Sequence, residues 1–379
     1  MGETRFPPWQ AAIFRTPVAT DQRERELVGS QAGLASAIAV ESHGELGEIE
    51  AVRARGYWEQ VWRRFRRDKV AIGSGVFIIL LIFTAVVGGP IASHFLGHGV
   101  NDFNQDAGSA GVQQLPVGPL SHVACSGFAI PPHACVVHPH AHQLYILGAD
   151  GVLGYDEFLR LLYGARASLE VAILSTIGVM IIGILLGTLA GYYRGWIDTV
   201  ISRVIELTMV FPALLFIIAL SATVGPRINH VTFGVFPQGV ITLVLVFSLL
   251  GWFYPARIMR AQVLSLREKE FVEAARMIGA SDNRIMRSHI IPHLVAPIIV
   301  YATLTMAQYI LLEASLSFLG LGINPNTPTW GNLLSTAPQY YLTQPWLMLW
   351  PGLAILTTTL SFNLLGDGLR DSFDPKAAR

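Results

Sequence analysis

Two thiols and a crowd of imidazoles are the first groups in this chain with chemistry to offer. Cys125 and Cys135 are its only cysteines and enclose nine residues in SHVACSGFAIPPHACVVHPHAH. His122, His133, His138, His140 and His142 lie in the same stretch. On the oxidising side of a membrane such a thiol pair is expected to form a disulfide. A Cys/His metal site is the sharper alternative, but the paired C-x2-C spacing is absent, and histidine-rich surface loops often take up metal adventitiously. The expectation is therefore no dedicated metal site.

Covalent catalysis finds no support. A phosphate-cradling loop needs Gly-Lys-Ser/Thr after a glycine-rich turn. Lys69, Lys269 and Lys376 are the only lysines, and they follow Asp, Glu and Pro. H-E-x-x-H and G-x-S-x-G are also absent. The chain is expected to be no enzyme and to hold no cofactor, so any nucleotide hydrolysis would belong to a separate subunit. Two carboxylates stand out because they fall inside apolar runs, where an ionisable group is functional by default. Glu206 lies near the start of its run, within reach of Arg203, and Glu313 lies about 28 Å along a helix counted from Leu294. Both are candidates to line a solute pathway.

These groups need positioning, and the composition says by what. Mean hydropathy is +0.48 and only 14% of the 379 residues are charged, which indicates a bilayer protein. The formal net charge is zero, so nothing points to nucleic acid. Near-uncharged runs long enough to cross roughly 30 Å of hydrocarbon fall at Val70–Ala92, Leu169–Ala190, Val204–Val224, Val240–Ala256, Leu294–Phe318 and Trp346–Leu365. The fold class expected is an all-α membrane protein with six transmembrane helices.

Cations orient it. Arg63, Arg64, Arg66, Arg67 and Lys69 precede the first run, Arg194 and Arg203 follow the second, and Arg257 to Arg287 carry seven between the fourth and fifth. Arg370, Lys376 and Arg379 close the chain, whereas the other side has only Arg160, Arg166 and Arg227. The positive-inside rule then puts both termini in the cytoplasm of a multi-pass protein of the cell (plasma or inner) membrane. Residues 1–55 read as a mobile cytoplasmic tail. Residues 56–69 carry Trp58, Trp62 and Phe65 on one face and arginines around the other, an amphipathic helix for the lipid interface. The transmembrane domain is then 70–379, with an outer loop at 93–166 that is long enough to need its own structure, and a cytoplasmic segment at 257–293.

That cytoplasmic segment contains EAARMIGASDNRI, beginning at Glu273. Arg267 to Ile278 has good helix formers and no Gly or Pro, with Phe271, Ala274, Ala275 and Ile278 expected along one side. Gly279 is suited to ending this helix in a left-handed conformation, Ser281 to capping a second one, and Pro292 to breaking the chain before the fifth span. A short helix with small residues on one face and charges on another is a lever for something that docks from the cytoplasm.

EAARMIGASDNRIMRSHIIPHL resembles the EAA motif of ABC importer permeases: Glu273-Ala274-Ala275, three residues, Gly279-Ala280, then Ile290 two positions before Pro292. WRRFRRDKVAIGS, LGADGVLGYDEFLRLLYGARASL and EASLSFLGLGINPNTPTWGNLL further resemble the C-type permease subunits of dipeptide, oligopeptide and nickel importers. The resemblance covers most of residues 58–374 and implies the type I ABC importer permease fold. It further implies a second permease subunit in a heterodimer, two ATP-binding subunits that supply ATP and Mg chemistry, and an extracytoplasmic substrate-binding protein. Peptide is the cargo it implies first, with nickel or another small solute as the alternative. Glu273, Ala274, Ala275, Gly279, Ala280, Ile290 and Pro292 would couple this chain to the ATPase. Gly154-Tyr155-Asp156 departs from the branch's usual Gly-Arg-Asp, and the outer loop and leader are longer than usual. An ion-driven secondary transporter would instead show inverted repeats and ionisable residues buried at mid-membrane; no convincing repeat is visible. A membrane scaffold or sensor that signals through the cytoplasmic hairpin is the third possibility.

Overall fold

The computed structural model describes residues 57–102, 104–108, 115–124, 142–151, 153–228 and 239–374. The expected tail at 1–55 and the cysteines Cys125 and Cys135 lie outside the described residues. The chain divides into two units between Glu59 and Gln60.

Helix α1 (Tyr57–Phe65) precedes α2 (Lys69–Phe83), whose entry is capped by Asp68 accepting from the Val70 and Ala71 amides at 2.9 and 3.0 Å. A π-helical turn at Thr84–Gly88 joins α2 to α3 (Gly89–Leu96), so that Lys69–Leu96 forms one 28-residue span. Its exit is a short outer lobe: a helical turn α4 (Gln105–Gly108), then β1 (Ser121–Ala124) antiparallel to β2 (His142–Tyr145), and β3 (Ala149–Asp150) antiparallel to β4 (Tyr155–Asp156). Among the described residues between α3 and α5, these two short antiparallel pairs are the strands. Tyr145 is buried, stacks on His98 with ring centroids 5.6 Å apart, and donates to the Gly154 carbonyl at 3.2 Å. His98 Nε2 meets Asp156 Oδ2 at 2.8 Å.

The pillar of the fold is α5 (Glu157–Tyr193), 37 residues capped by Asp156 accepting from the Leu159 amide. It begins a dozen residues before the run Leu169–Ala190 and takes back part of the expected outer loop 93–166. Glu157, Arg160 and Arg166 hide this extension from a scan for uncharged residues. The two arginines are met locally: Arg160 lies 3.4 Å from Asp150, and Arg166 donates to Glu170 at 2.8 Å.

Two expected spans prove to be broken. The run Val204–Val224 straddles α6 (Gly195–Val210) and α7 (Ala213–Ile228), bent by 87° at Phe211 and Pro212. Pro212 lacks an amide hydrogen and pushes Phe211 to extended backbone, ψ 136°. The run Val240–Ala256 is α8 (Val240–Gly251) followed by the start of α9 (Phe253–Arg267), with a 42° bend at Trp252. Among the described residues, four helices are long and apolar enough to cross a membrane, or six when each bent pair counts as one span.

After the short helices α10 (Glu270–Met277) and α11 (Asp282–Ile285), a π-helical turn at Met286–Ile290 runs into α12 (Ile291–Phe318). Pro292 does not break the chain as expected. It occupies the first turn of α12, where a missing N–H costs little, and the π-helical turn absorbs the mismatch before it. On the outer side α13 (Trp330–Thr336) packs across α5, with Trp330 Nε1 donating to the Leu161 carbonyl at 3.1 Å. Last comes α14 (Trp346–Phe373), against α2 and α12. The main core, including Leu243, Phe247, Ile310, Leu316 and Trp330, fills the space between α5, α8, α12 and α13.

Candidate functional site

Where α10 ends, backbone chemistry sets the geometry. Gly279 has φ +80°, its amide donates to the Arg276 carbonyl at 2.9 Å, and the Ala280 amide donates to the Ala275 carbonyl at 3.0 Å. This is a Schellman motif, which returns the chain sharply and puts Ala280 beside Ala275. Ser281 stands at the cap position of α11, φ −67° and ψ 151°, although its hydroxyl makes no cap bond.

Burial then splits the segment into an anchor and a presented edge. Val272, Ala275, Ile285, Ile290 and Leu294 form a buried cluster with Tyr192 of α5 and Met259 and Val263 of α9. Ala275 therefore points inward. It does not share one side with Phe271, Ala274 and Ile278 as expected, because the turn that buries Val272 also carries the residue three positions on. Glu273, Ala274, Gly279 and Pro292 are exposed, while Ile290 is fully buried. Met277 and Ile278 are 83% and 85% exposed at the tip. Two large apolar side chains so open to water, flanked by Glu270, Glu273, Arg276 and Arg284, are the composition of a docking edge.

Tyr192 is the clasp that sequence reasoning missed. Its hydroxyl donates to Asp282 Oδ1 at 2.6 Å, its carbonyl accepts from Arg267 Nη1 at 2.5 Å, and the guanidinium carbons of Arg267 and Arg276 lie 5.7 and 5.5 Å from its ring centre. Two residues on, Arg194 takes a positive φ of 56° and pairs with Glu268 at the entrance to the segment. Arg260 donates to both oxygens of Asp198 at 2.5 and 2.8 Å, tying α9 to α6. Phe271 stacks on His293 of α12, centroids 4.9 Å apart. The edge is thereby tied to α5, α6, α9 and α12 together.

The other candidates fall elsewhere. Glu206 is exposed on α6 and accepts from Arg203 at 2.6 Å. Glu313 is fully buried in α12 and accepts from Ser317 at 2.7 Å. No group of three or more His, Cys, Asp or Glu able to hold a metal ion occurs among the described residues. On the outer side, Asp150 is buried, pairs with Arg160 and accepts from Thr336 at 2.7 Å. Burial still pushes its carboxyl above the usual carboxylate range, with Arg160 and Thr336 opposing.

Residues 183–379 match the family model of the binding-protein-dependent transport system inner membrane component. Residues 56–109 match that of the N-terminal TM domain of oligopeptide transport permease C. The chain belongs to this family of importer permeases, and its fold is the family's type I permease fold. Over 320 residues it is 37% identical to the glutathione transport system permease protein of Pectobacterium atrosepticum, covering 84% of this chain and 91% of that one. It is 38% identical over 329 residues to the Escherichia coli O6:K15:H31 protein of the same name, covering 86% and 93%. It is 43% identical over 223 residues to the dipeptide transport system permease protein of Alkalihalophilus pseudofirmus, covering 59% and 69%. The chain is a membrane permease component and not an ATPase.

Proposed function

We propose that this chain forms half of the translocation pathway of an ATP-driven importer of peptides, and that Glu270 to Ile290 carries the ATPase's movement into the bundle. The single observation behind the coupling is the exposed Met277–Ile278 edge on a helix whose opposite face is locked to three membrane helices. Peptide cargo is favoured because similar permeases are named for glutathione and dipeptide transport. A second permease subunit, two ATP-binding subunits with their ATP and Mg, and an extracytoplasmic binding protein complete the machine. The ATPase shifts the bundle only if it binds the inward and outward states with different affinity, and the docked edge is where that difference is transmitted. This chain makes and breaks no covalent bond.

The test is ATP hydrolysis by the copurified complex in lipid, with its binding protein and a peptide library. Glu273→Arg, Met277→Glu and Gly279→Pro should each reduce cargo-stimulated turnover on the order of tenfold or more while the membrane chain stays folded. Proline fixes φ near −65° and cannot adopt the +80° of Gly279. A chain that purifies alone and moves solute on an ion gradient, indifferent to these changes, would refute the reading in favour of a secondary transporter.

A further inference from the structure

A cavity of about 160 Å³ opens between the two helix breaks and the middle of α12. Its wall includes Ala213, immediately after the Phe211–Pro212 break, and Gly251 and Phe253, on either side of the Trp252 bend. Backbone that leaves the helical path at membrane depth is tolerated where it is buried in protein or lines a hydrated cavity. Two breaks from distant parts of the chain converge on this one space, and Phe211 at the sharper break is 60% exposed and so not buried by this chain.

The side chains at the cavity carry the argument further. Tyr301, Thr305, Gln308 and Leu312 fall at spacings of four, three and four on α12, which places them on one helix face. Counted from Leu294 at 1.5 Å per residue, Tyr301 to Gln308 lie about 10 to 21 Å along the span, around the middle of a hydrocarbon layer roughly 30 Å thick. Tyr254 of α9 joins them and is 53% exposed. Gln308 is exposed as well. A carboxamide and a phenol open at that depth are poorly matched to lipid and well matched to water or solute. Behind them the wall is rigid: Tyr309 stacks on Phe247 with centroids 5.1 Å apart and rings 8° from parallel.

We infer that this cavity is the chain's wall of the translocation pathway, and that Tyr254, Tyr301 and Gln308 hydrogen-bond the amide backbone of the cargo without selecting its side-chain charge. Every lining side chain is uncharged. Histidine, cysteine and carboxylate are absent from it, so it suits amides and not a bare metal ion. Thr305 is already committed to the Tyr301 carbonyl at 2.7 Å, which leaves the phenols and the carboxamide as the groups free to turn to cargo. The inference rests on the permease reading above and names the surface that this reading left unassigned; Glu206 and Glu313 are not part of it.

Cysteine accessibility decides the matter, because it is the thiolate that attacks a methanethiosulfonate, and a thiolate needs water. Tyr301→Cys and Gln308→Cys, in the full complex in lipid vesicles, are treated with a membrane-impermeant methanethiosulfonate, with the unsubstituted chain as the blank. Ile79→Cys on α2, 68% exposed among exposed Val76, Leu80 and Phe83, is the lipid-facing control. Labelling at 301 and 308 should be on the order of tenfold faster than at 79. Gln308→Leu should then lower uptake of trialanine and of lysine- or glutamate-containing tripeptides by the same factor. Labelling no faster than at 79, or a loss that depends on peptide charge, overturns the inference even if peptide still stimulates ATP hydrolysis by the unsubstituted complex. Absence of that stimulation would instead remove the reading on which it rests.

Discussion

At the scale of single residues, the cytoplasmic site depends on one phenol. Tyr192→Phe removes the donor to Asp282 and keeps the ring between Arg267 and Arg276, so the fold should lose only about 1 kcal/mol. Coupling should suffer more than stability: solute moved per ATP hydrolysed is expected to drop about threefold, because one hydrogen bond joins α5 to α11. A transport assay alongside a thermal melt separates the two effects. The EAA run and Gly279 were legible because a positive-φ turn and a helix of small residues leave local marks. Tyr192 was not, since its partner Asp282 is 90 residues away in sequence. A second residue-scale prediction concerns Asp150, whose carboxyl is raised by burial. A folded-state pKa above the unfolded value means that ionisation costs stability. That cost is absent below the unfolded pKa, grows as pH rises towards the folded pKa, and is constant above it. Asp150→Asn should therefore gain stability relative to wild type as pH is raised from about 4. Unfolding midpoints of the two proteins that keep a constant separation across that range would show that the carboxyl is not raised.

Among elements, the tightest joint is α5 against α9, and it is made of absences. Gly183, Gly187 and Gly191 recur every fourth residue on α5, and a Cβ at each would lie 2.6 Å from Pro255 Cγ, 2.5 Å from the Ala256 oxygen and 2.8 Å from the Arg260 oxygen. Close backbone approach of this kind is how membrane helices associate without a hydrophobic drive. Gly187→Leu should destabilise the bundle by about 3 kcal/mol or more. Gly73→Leu on α2, where a Cβ meets nothing within 4 Å, should be tolerated. Both changes gain similar helix propensity, so detergent-unfolding curves of the pair report the packing difference. The spans themselves were legible from hydropathy, because lipid demands long apolar helices. Their breaks were not: Trp252 follows an unbroken apolar run, and Pro212 is compatible with either a kink or a stop until the packing of α7 is known. The charged start of α5 escaped for the opposite reason, since the ion pair of Arg160 with Asp150 forms only in the folded chain.

For the molecule as a whole, the number of crossings is the remaining question, and charge and geometry answer it together. Arg160 and Arg166 are two of only three cations expected on the outer side, so the excess of Lys and Arg on the opposite side predicts that it faces the cytoplasm. Both bent pairs admit either a broken span or a re-entrant loop, and α6 and α7, at 87°, are the more sharply bent. The sixteen residues of α7 cover roughly 24 Å and need only a few residues of α6 to cross. A re-entrant pair would leave five crossings and put the two termini on opposite sides. Reporter fusions distinguish these cases. Alkaline phosphatase joined after His98 or after Gln238 should be active, since both positions lie outside when every bent pair spans. Joined after Arg267 or Asp374 it should be inactive, and a fluorescent protein at those two sites should fold and shine. Activity lost at Gln238 and gained at Asp374 would make the α6–α7 pair re-entrant. The coupling segment after Arg267 would then face away from the cytoplasm, where no ATPase can reach the Met277–Ile278 edge.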